Sequence, residues 1–244
     1  MSKNPLRLKV AYLYPDLLQG FCNDANIKAF VWRAKQRNIE VSVDEICAND
    51  KIKSSKYDFY YIGGQNIQAI NICNKHLQKN SADIAIAAVS GVPMLAIYLG
   101  YILFGNTYQL QNSKEMQGLG ILDVKSYSLG IKYYSKVIGI CSFLKKKTIV
   151  GFEHHDMITK LNSSPSFLTL KKGYGNNAKD KTEGARAYNI IATYITSPIL
   201  AQNPYFCDFL IANSLKTKYK CSIPLTNLCD DIEWYSHDYL LKAK

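Results

Sequence analysis

Hydrophobic residues recur along this chain with two spacings, one typical of strands and the other of helices. Residues 6–13 are mostly apolar, interrupted only by Arg7 and Lys9, and residues 39–46 alternate hydrophobic with polar side chains, so each segment predicts a strand. Residues 25–36 have helical spacing, and Asn23 and Asp24 are predicted to cap that helix. Strand, helix and strand in such close succession predict a βαβ unit, whose two strands pair in parallel.

A third predicted strand, residues 57–62, is followed directly by Gly63, Gly64 and Gln65. Glycines just past a strand of a parallel sheet line the crevice in which ligands bind. They also leave backbone N–H groups free to face an anion. This segment is therefore a candidate binding loop.

The stretch SGVPMLAIYLGYILFG covers residues 90–105. It begins with a Gly-x-Pro turn, continues as an apolar segment long enough for one buried strand, and resumes beyond Gly100 with helical spacing. Strand, sharp corner and helix in this order present one side chain at the top of an α/β sheet, as in the nucleophile elbow of acyl-transfer enzymes. The residue at the apex is Tyr98, where such an enzyme carries Ser or Cys.

Beyond residue 105 the pattern becomes rich in strands, and a turn-forming cluster, GYGNN, begins at Gly173. Residues 179–186 are charged and predict a solvated surface loop. The further predicted strands cover residues 132–140, 147–153, 167–170 and 188–195. The further predicted helices cover residues 66–89 (divided near Asn80), 203–218 and 230–241. Since no repeat or low-complexity linker interrupts the chain, residues 1–244 are predicted to form a single α/β domain.

Composition favours a folded domain in a reducing compartment. Of the 244 residues, 48% are hydrophobic, which allows a large core. No window approaches the ~18–20 uninterrupted apolar residues of a membrane span. Lys3, Arg7 and Lys9 lead straight into a strand, which is unlike a signal peptide. We therefore predict a cytoplasmic protein without a membrane span.

The seven cysteines and four histidines give no metal-binding pattern. The cysteines form no C-x-x-C pair, and the histidines complete no zinc spacing with them. We predict reduced, mostly buried thiols, no metal and no cofactor.

The formal net charge of +11 would suit a nucleic-acid partner. However, the basic residues are nearly all Lys, spread along the whole chain, and no RNP, helix-turn-helix or finger pattern occurs. We therefore predict no nucleic-acid binding, and we attribute the charge to compositional bias or to an acidic protein partner.

Seven local features occur in a characteristic order: QGFCNDANI, IGG, the Gly-x-Pro elbow, GLGILD, VGFEHH, GYGNN and ATYITSPIL. From about residue 8 to residue 215 this series resembles class-I glutamine amidotransferases of the cobyric acid synthase type. It is most similar to the small glutaminase subunits of lipid II isoglutaminyl synthases. GLGILD, VGFEHH and GYGNN are fairly specific in combination, whereas each alone would be weak.

The resemblance implies a flavodoxin-like, mostly parallel sheet with helices on both faces. It also implies a Cys that attacks the glutamine carboxamide, a His that handles the proton, and backbone N–H groups that hold the oxyanion. The released ammonia would pass to the implied partner, a Mur-ligase-like ATP-dependent synthetase that amidates peptidoglycan precursors.

Carried over residue by residue, the resemblance places the nucleophile position on Tyr98 and the catalytic His position on Thr196, so both reactive groups are replaced. Gln65 stands where the family has a third glycine of the oxyanion loop, and Leu99 stands where it has a glycine after the nucleophile. The implied oxyanion and substrate-binding positions are Gly63, Gly64, Gln65, Leu99, Gly100 and Lys132.

These replacements predict that glutamine is not hydrolysed by the usual route. A phenol has an ordinary pKa of about 10 and Thr cannot shuttle a proton at neutral pH. Loss of either member of a dyad typically removes several orders of magnitude of rate. Tyr98 would also fill the space for the γ-carboxamide, so binding of L-glutamine is doubtful. The sequence leaves open whether Tyr98 keeps the strained elbow geometry, although the bulk of Leu99 favours relaxation.

Three functions remain open at this stage. The first is a pseudo-glutaminase that acts as a structural or regulatory partner of the synthetase. The second is an active subunit, which either has a relocated dyad, with Cys22 meeting His154 or His155 beside Gly63 and Gly64, or channels free ammonia. The third is a module that binds a small molecule or anion in the emptied crevice.

Overall fold

The computed structural model describes residues 5–20, 22–144 and 148–242. Its strands are β1 (Leu6–Leu13), β2 (Ile39–Ile46), β3 (Phe59–Gly64), β4 (Met94–Tyr98), β5 (Thr107–Gln109), β6 (Met116–Gln117), β7 (Val124–Ile140), β8 (Thr148–Leu161), β9 (Leu168–Lys172), β10 (Thr182–Glu183), β11 (Ala185–Ala187) and β12 (Ile190–Thr193). Its α-helices are α1 (Pro15–Leu18), α2 (Asn23–Lys35), α3 (Ile70–Lys79), α4 (Ser81–Val89), α5 (Leu99–Phe104), α6 (Ile199–Gln202), α7 (Pro204–Tyr219) and α8 (Asp231–Lys242).

The first sheet has the strand order β11-β12-β4-β3-β1-β2. Its neighbouring strands are parallel except for the pair β11 and β12. Strands β1 and β2 pair in register from Leu6 with Ile39 to Leu13 with Ile46, which confirms the predicted βαβ unit. Every residue of β3 and β4 is buried, as expected of strands covered on both faces. The predicted α/β class with a mostly parallel sheet is confirmed.

The second sheet has the order β10-β9-β7-β5-β6, and β8 pairs with β7. Apart from the pair β5 and β7, its strands are antiparallel. The register of β7 on β8 breaks between Ser128 and Tyr133, and residues 129–132 form a bulge there. Strand β7 begins eight residues earlier than predicted, because its first half is polar and partly exposed and lacks a hydrophobic run.

The helix predictions are confirmed with one correction. The division near Asn80 is found, since α3 ends at Lys79 and α4 begins at Ser81. The predicted cap of α2 is wrong: the helix begins at Asn23 and makes no side-chain cap hydrogen bond. The Asn23 amide instead donates from Nδ2 to the Gly63 carbonyl at 2.7 Å, and so ties α2 to the end of β3.

The predicted surface loop over residues 179–186 is confirmed only at residues 179–181, which are exposed and precede β10. It contains β10 and most of β11, and Glu183 within it is completely buried. Its Oε1 accepts hydrogen bonds from Thr193 Oγ1 at 2.8 Å and from Tyr194 N at 2.7 Å. A single inward-facing carboxylate among charged neighbours cannot be told from a solvated one by sequence pattern.

Three further sequence predictions concern the cysteines, the strand that begins at Lys147 and membrane-spanning helices. All seven cysteines are free, but three of them are buried, so the thiols are less buried than predicted. Lys147, at the start of a predicted strand, lies outside the described residues. Within the described ranges, no helix is both long and apolar enough to cross a bilayer.

A buried ion cluster joins α2 and α7 to the segment just before α8. The guanidinium of Arg33, whose side chain is 2% exposed, bonds both oxygens of Asp208 at 2.7 and 2.9 Å and both oxygens of Asp230 at 2.6 and 3.0 Å. Arg37 also donates to Asp208, at 2.8 Å, and to the Thr226 carbonyl, at 2.7 Å. Two cations and two carboxylates thereby fix the C-terminal segment on α2 and the residues that follow it.

Substitution Arg33→Met should lower the free energy of unfolding by about 3 kcal/mol, because it takes a buried guanidinium away from two carboxylates that are only 18% and 16% exposed. Urea unfolding measures this change. The control is Arg7→Met, which breaks an ion pair with Glu40 whose side chains are 68% and 58% exposed. That loss should be below about 1 kcal/mol. Equal losses for the two variants would contradict a structural role for the cluster.

Candidate functional site at the Tyr98 elbow

The corner between β4 and α5 keeps the geometry of a nucleophile elbow. Tyr98 has φ 48° and ψ −97°, an unfavourable conformation for a residue with a side chain. Leu99 begins α5 and is completely buried. A Cβ on Gly100 would lie 2.6 Å from the Ile62 carbonyl oxygen, so glycine is required where α5 passes β3. The elbow has therefore kept its strained geometry, which the sequence left open, and the bulk of Leu99 has not relaxed it.

The glycines beside the elbow belong to β3 itself. Gly63 and Gly64 pair with Ile97 and Tyr98. A Cβ on Gly64 would lie 2.2 Å from the Leu18 carbonyl oxygen, so the backbones approach too closely for a side chain.

The next amide, Gln65 N, donates to the carbonyl oxygens of Leu18 and Gln19 at 2.9 and 2.8 Å. This N–H, which the sequence predicts to be free for an anion, is therefore already engaged.

The Tyr98 phenol is buried and hydrogen-bonded. Tyr98 is only 6% exposed, and its hydroxyl donates a hydrogen bond to Asp156 Oδ1 at 2.8 Å. Burial, together with the Asp156 carboxylate, raises the pKa of Tyr98 far above its ordinary value, so the phenol stays protonated.

Asp156 connects the elbow to the bulge in β7. Its Oδ2 accepts a hydrogen bond from Ser128 Oγ at 3.0 Å, and Ser128 Oγ accepts one from Gly130 N at 3.1 Å. This relay from Tyr98 through Asp156 and Ser128 reaches residues 129–132, which protrude beside the elbow.

A buried histidine lies behind the Tyr98 ring. His155 Nδ1 donates to the Met157 carbonyl at 3.0 Å, because a carbonyl can only accept, and Nε2 is 3.4 Å from Glu153 Oε2. The imidazole stacks on the Tyr194 ring, with centroids 4.1 Å apart, and its centroid is 6.4 Å from that of Tyr98. The ring is held in place by these contacts.

Thr196, at the position of the implied catalytic His, follows β12. Since β12 pairs with β4, this loop lies at the same edge of the sheet as the elbow. Thr196 N donates to the Phe152 carbonyl at 2.9 Å, and Thr196 Oγ1 lies 3.4 Å from the same oxygen. The residue ties its loop to β8.

The remaining sequence candidates are placed apart. Cys22 lies at the start of α2, where burial raises the pKa of its thiol. In the described part of the chain, no hydrogen bond joins it to His154 or His155. His154 is exposed on β8, edge-on to the Tyr134 ring at 5.8 Å, and Lys132 is exposed in the bulge. The structure thus brings His155, but neither Cys22 nor His154, against Tyr98.

Sequence reasoning missed the carboxylates of the site. Glu153 accepts hydrogen bonds from Tyr174 N at 2.5 Å and Gly175 N at 2.8 Å, and so joins β8 to the GYGNN turn. Asp156 directly follows the VGFEHH motif, and this position was the one feature of the sequence that could have indicated a role for it in the site. Within residues 5–20, 22–144 and 148–242, His, Cys, Asp and Glu side chains form no cluster suited to a metal ion.

Substitution Tyr98→Phe removes the hydroxyl and keeps the ring. We expect faster amide hydrogen exchange over residues 128–133, measured by mass spectrometry, because the relay to Ser128 loses its anchor. The free energy of unfolding should fall by about 1–2 kcal/mol. Tyr188→Phe, at an exposed phenol, is the control. Unchanged exchange over the bulge in Tyr98→Phe would contradict the relay.

Burial raises the pKa of Glu183 from 4.5 to about 8, with an added contribution from the nearby Glu153 carboxylate. The hydrogen bonds from Tyr194 and Thr193 act in the opposite direction and only partly offset this increase. The folded state therefore holds a proton that the unfolded state releases, and its stability should fall as pH rises from about 4.5 to 8. Glu183→Gln removes this contribution, so its stability should fall less over that interval. Urea unfolding at several pH values measures it, and parallel pH profiles would contradict the assignment.

Comparison with known proteins gives consistent matches over most of the chain. Residues 9–204 match the CobB/CobQ-like glutamine amidotransferase domain. The chain is 32% identical over 211 residues to the lipid II isoglutaminyl synthase (glutamine-hydrolyzing) subunit GatD of Staphylococcus aureus, covering 86% of each protein. It is 30% identical over 224 residues to the subunit of the same name from Streptococcus pneumoniae, covering 91% of this chain and 85% of that one.

Solved structures give the same fold at low sequence identity. A crystal structure of a glutamine amidotransferase superposes with a TM-score of 0.53 and 13% identity, covering 84% of this chain and 98% of that one. The glutaminase domain of Trypanosoma brucei CTPS with bound acivicin superposes with a TM-score of 0.51 and 9% identity, covering 91% and 97%. The family match over residues 9–204 and the relative at 32% identity establish that the chain belongs to the CobB/CobQ-like glutamine amidotransferase family.

Proposed function

We propose that this chain is a pseudo-glutaminase subunit. In this proposal it acts in the cytoplasm as the structural or regulatory partner of a Mur-ligase-like ATP-dependent synthetase that amidates peptidoglycan precursors. The support for the partner and pathway is the similarity to two relatives that are named as subunits of lipid II isoglutaminyl synthase, each matched over most of its length. The two proteins would form a heterodimer.

The observation that carries the proposed inactivity is the state of Tyr98 at the apex of the elbow. A nucleophile in covalent catalysis must be accessible and activated by a base or a lowered pKa. Tyr98 is buried, donates its proton to a hydrogen bond with Asp156, and has a raised pKa. All three properties oppose attack on a carboxamide.

The groups around the apex also favour inactivity. Thr196 has no titratable group, and its backbone N–H binds the Phe152 carbonyl. The engaged Gln65 N–H removes one donor for the oxyanion, a loss typically associated with a 10²–10³-fold lower rate. A relocated dyad has little support, because Cys22 makes no described contact with His155. We therefore propose that L-glutamine is neither hydrolysed nor bound tightly in this crevice.

Retention of the strained elbow without its chemistry supports a scaffolding role. Strained backbone persists only where the surroundings hold it, and here those surroundings link the elbow to β8 and β7. The bulge at residues 129–132 has two exposed aliphatic side chains, Leu129 and Ile131. A surface of this kind, beside the crevice from which an active relative would deliver ammonia, suits contact with a synthetase.

The expected result in a glutaminase assay is no ammonia release by the wild-type chain, either alone or co-purified with the synthetase. The double variant Tyr98→Cys/Thr196→His returns both reactive groups to the retained elbow. It should release ammonia above the wild-type background and be covalently labelled at position 98 by an electrophilic glutamine analogue. Each single variant should be at least about 100-fold slower than the double variant.

Two results would overturn parts of the proposal separately. Wild-type turnover that disappears with Cys22→Ala would establish a relocated nucleophile and refute the inactivity. Co-expression of the chain with a Mur-ligase-like synthetase from the same organism tests the partner, since the two should co-elute as a complex. Failure to co-elute would refute the heterodimer. It would not bear on the proposed inactivity, which the glutaminase assay tests separately.

A further inference from the structure

The C-terminal helix α8 carries large apolar side chains on two faces. On its inner face His237 and Leu240 are buried. Trp234 also packs there, with its ring centroid 5.3 Å from that of Tyr205 and 5.0 Å from that of His237. These contacts fix the rotation of α8 about its own axis. The opposite face of the helix therefore points away from the rest of the chain and forms a separate apolar surface.

The outer face presents Ile232, Tyr235 and Tyr239, which are 83%, 76% and 63% exposed. Their spacing of three and four residues places them along one side of the helix, and we call them the α8 outer stripe. Tyr235, Tyr239 and their neighbours Asp238 and Lys242 line a shallow groove of about 420 Å³. A helix that is apolar on opposite faces is normally covered on both.

The charges at the two ends of the outer stripe are complementary to each other. Asp231 lies at the start of α8 and Lys242 at its end, both exposed, about three helical turns apart and therefore on the same side as Tyr235. An isologous contact uses the same surface on both subunits, so that surface must complement itself. A stripe with an acid at one end and a base at the other meets this requirement only in antiparallel orientation.

We propose that two copies of this chain associate through their α8 helices, packed antiparallel about a twofold axis. Tyr235 of each copy then packs against Tyr239 of the other, and Asp231 pairs with Lys242 at both ends. Opposed helix dipoles favour the same orientation. Two tyrosines and one isoleucine from each copy bury on the order of 1,000 Å² in total, the lower limit for a specific interface, so the dimer is weak and reversible.

Sedimentation equilibrium of the full chain tests the association. Between roughly 1 and 500 µM, the range in which weak complexes dissociate, the average mass should rise from 27.6 kDa towards twice that value. Tyr235→Ser/Tyr239→Ser should weaken the association at least about tenfold. The control is Tyr134→Ser, at an equally exposed tyrosine on β7. A wild-type chain that stays monomeric throughout, or a stripe variant that associates as the wild type does, would overturn the proposal.

A charge exchange tests the antiparallel geometry. Asp231→Lys alone and Lys242→Asp alone each place like charges opposite one another at both ends, so each variant should associate at least about tenfold more weakly than the wild type. An equimolar mixture of the two variants restores both pairs and should recover association. Lys179→Asp gives the same charge change away from α8 and serves as the control. Circular dichroism verifies that α8 persists, and a mixture no stronger than its components would refute the antiparallel pairing.

Discussion

The elbow depends on a backbone conformation that is unfavourable by itself. A residue with a side chain at φ 48° and ψ −97° is strained by roughly 1–3 kcal/mol. It persists because its surroundings leave no alternative: β4 is paired on both sides, α5 passes β3 at Gly100, and the phenol is bound to Asp156. The elbow thus belongs to the architecture of the sheet, and its geometry does not require a nucleophile at the apex.

Two buried glutamates bind the segments around this point. Glu153 of β8 binds backbone amides of the GYGNN turn, and Glu183 of β10 binds the end of β12. Tyr194 lies between them, stacked on His155, with its hydroxyl bonded to that of Thr159. Hydrogen bonds are stronger in a low-dielectric interior, so these contacts help to hold β8, the GYGNN turn and the end of β12 in place. These contacts give the glutamate of VGFEHH and the backbone amides of GYGNN a structural role.

The sequence was informative wherever local pattern determines structure. Strands β1 and β2, the division at Asn80 and the apex at Tyr98 all follow from hydrophobic period or from Gly and Pro positions. It failed where tertiary contacts decide. Buried Glu183 resembled surface charge, the polar first half of β7 had no strand signal, and Asn23 bonded β3 rather than its own helix. The carbonyl partners of Gln65 belong to Leu18 and Gln19 at the end of α1, 47 and 46 residues earlier in the chain, and no local pattern encodes them.

The relay from Tyr98 to Asp156 has an evolutionary consequence. Once thiol chemistry is lost from such a corner, drift should favour glycine or asparagine there, because these residues adopt positive φ most easily. A large aromatic side chain at this corner is therefore informative: its hydrogen bond to Asp156 offsets the conformational penalty, and the two positions are expected to change together. In related chains without an aspartate at the position of Asp156, we expect the position of Tyr98 to carry a residue other than tyrosine.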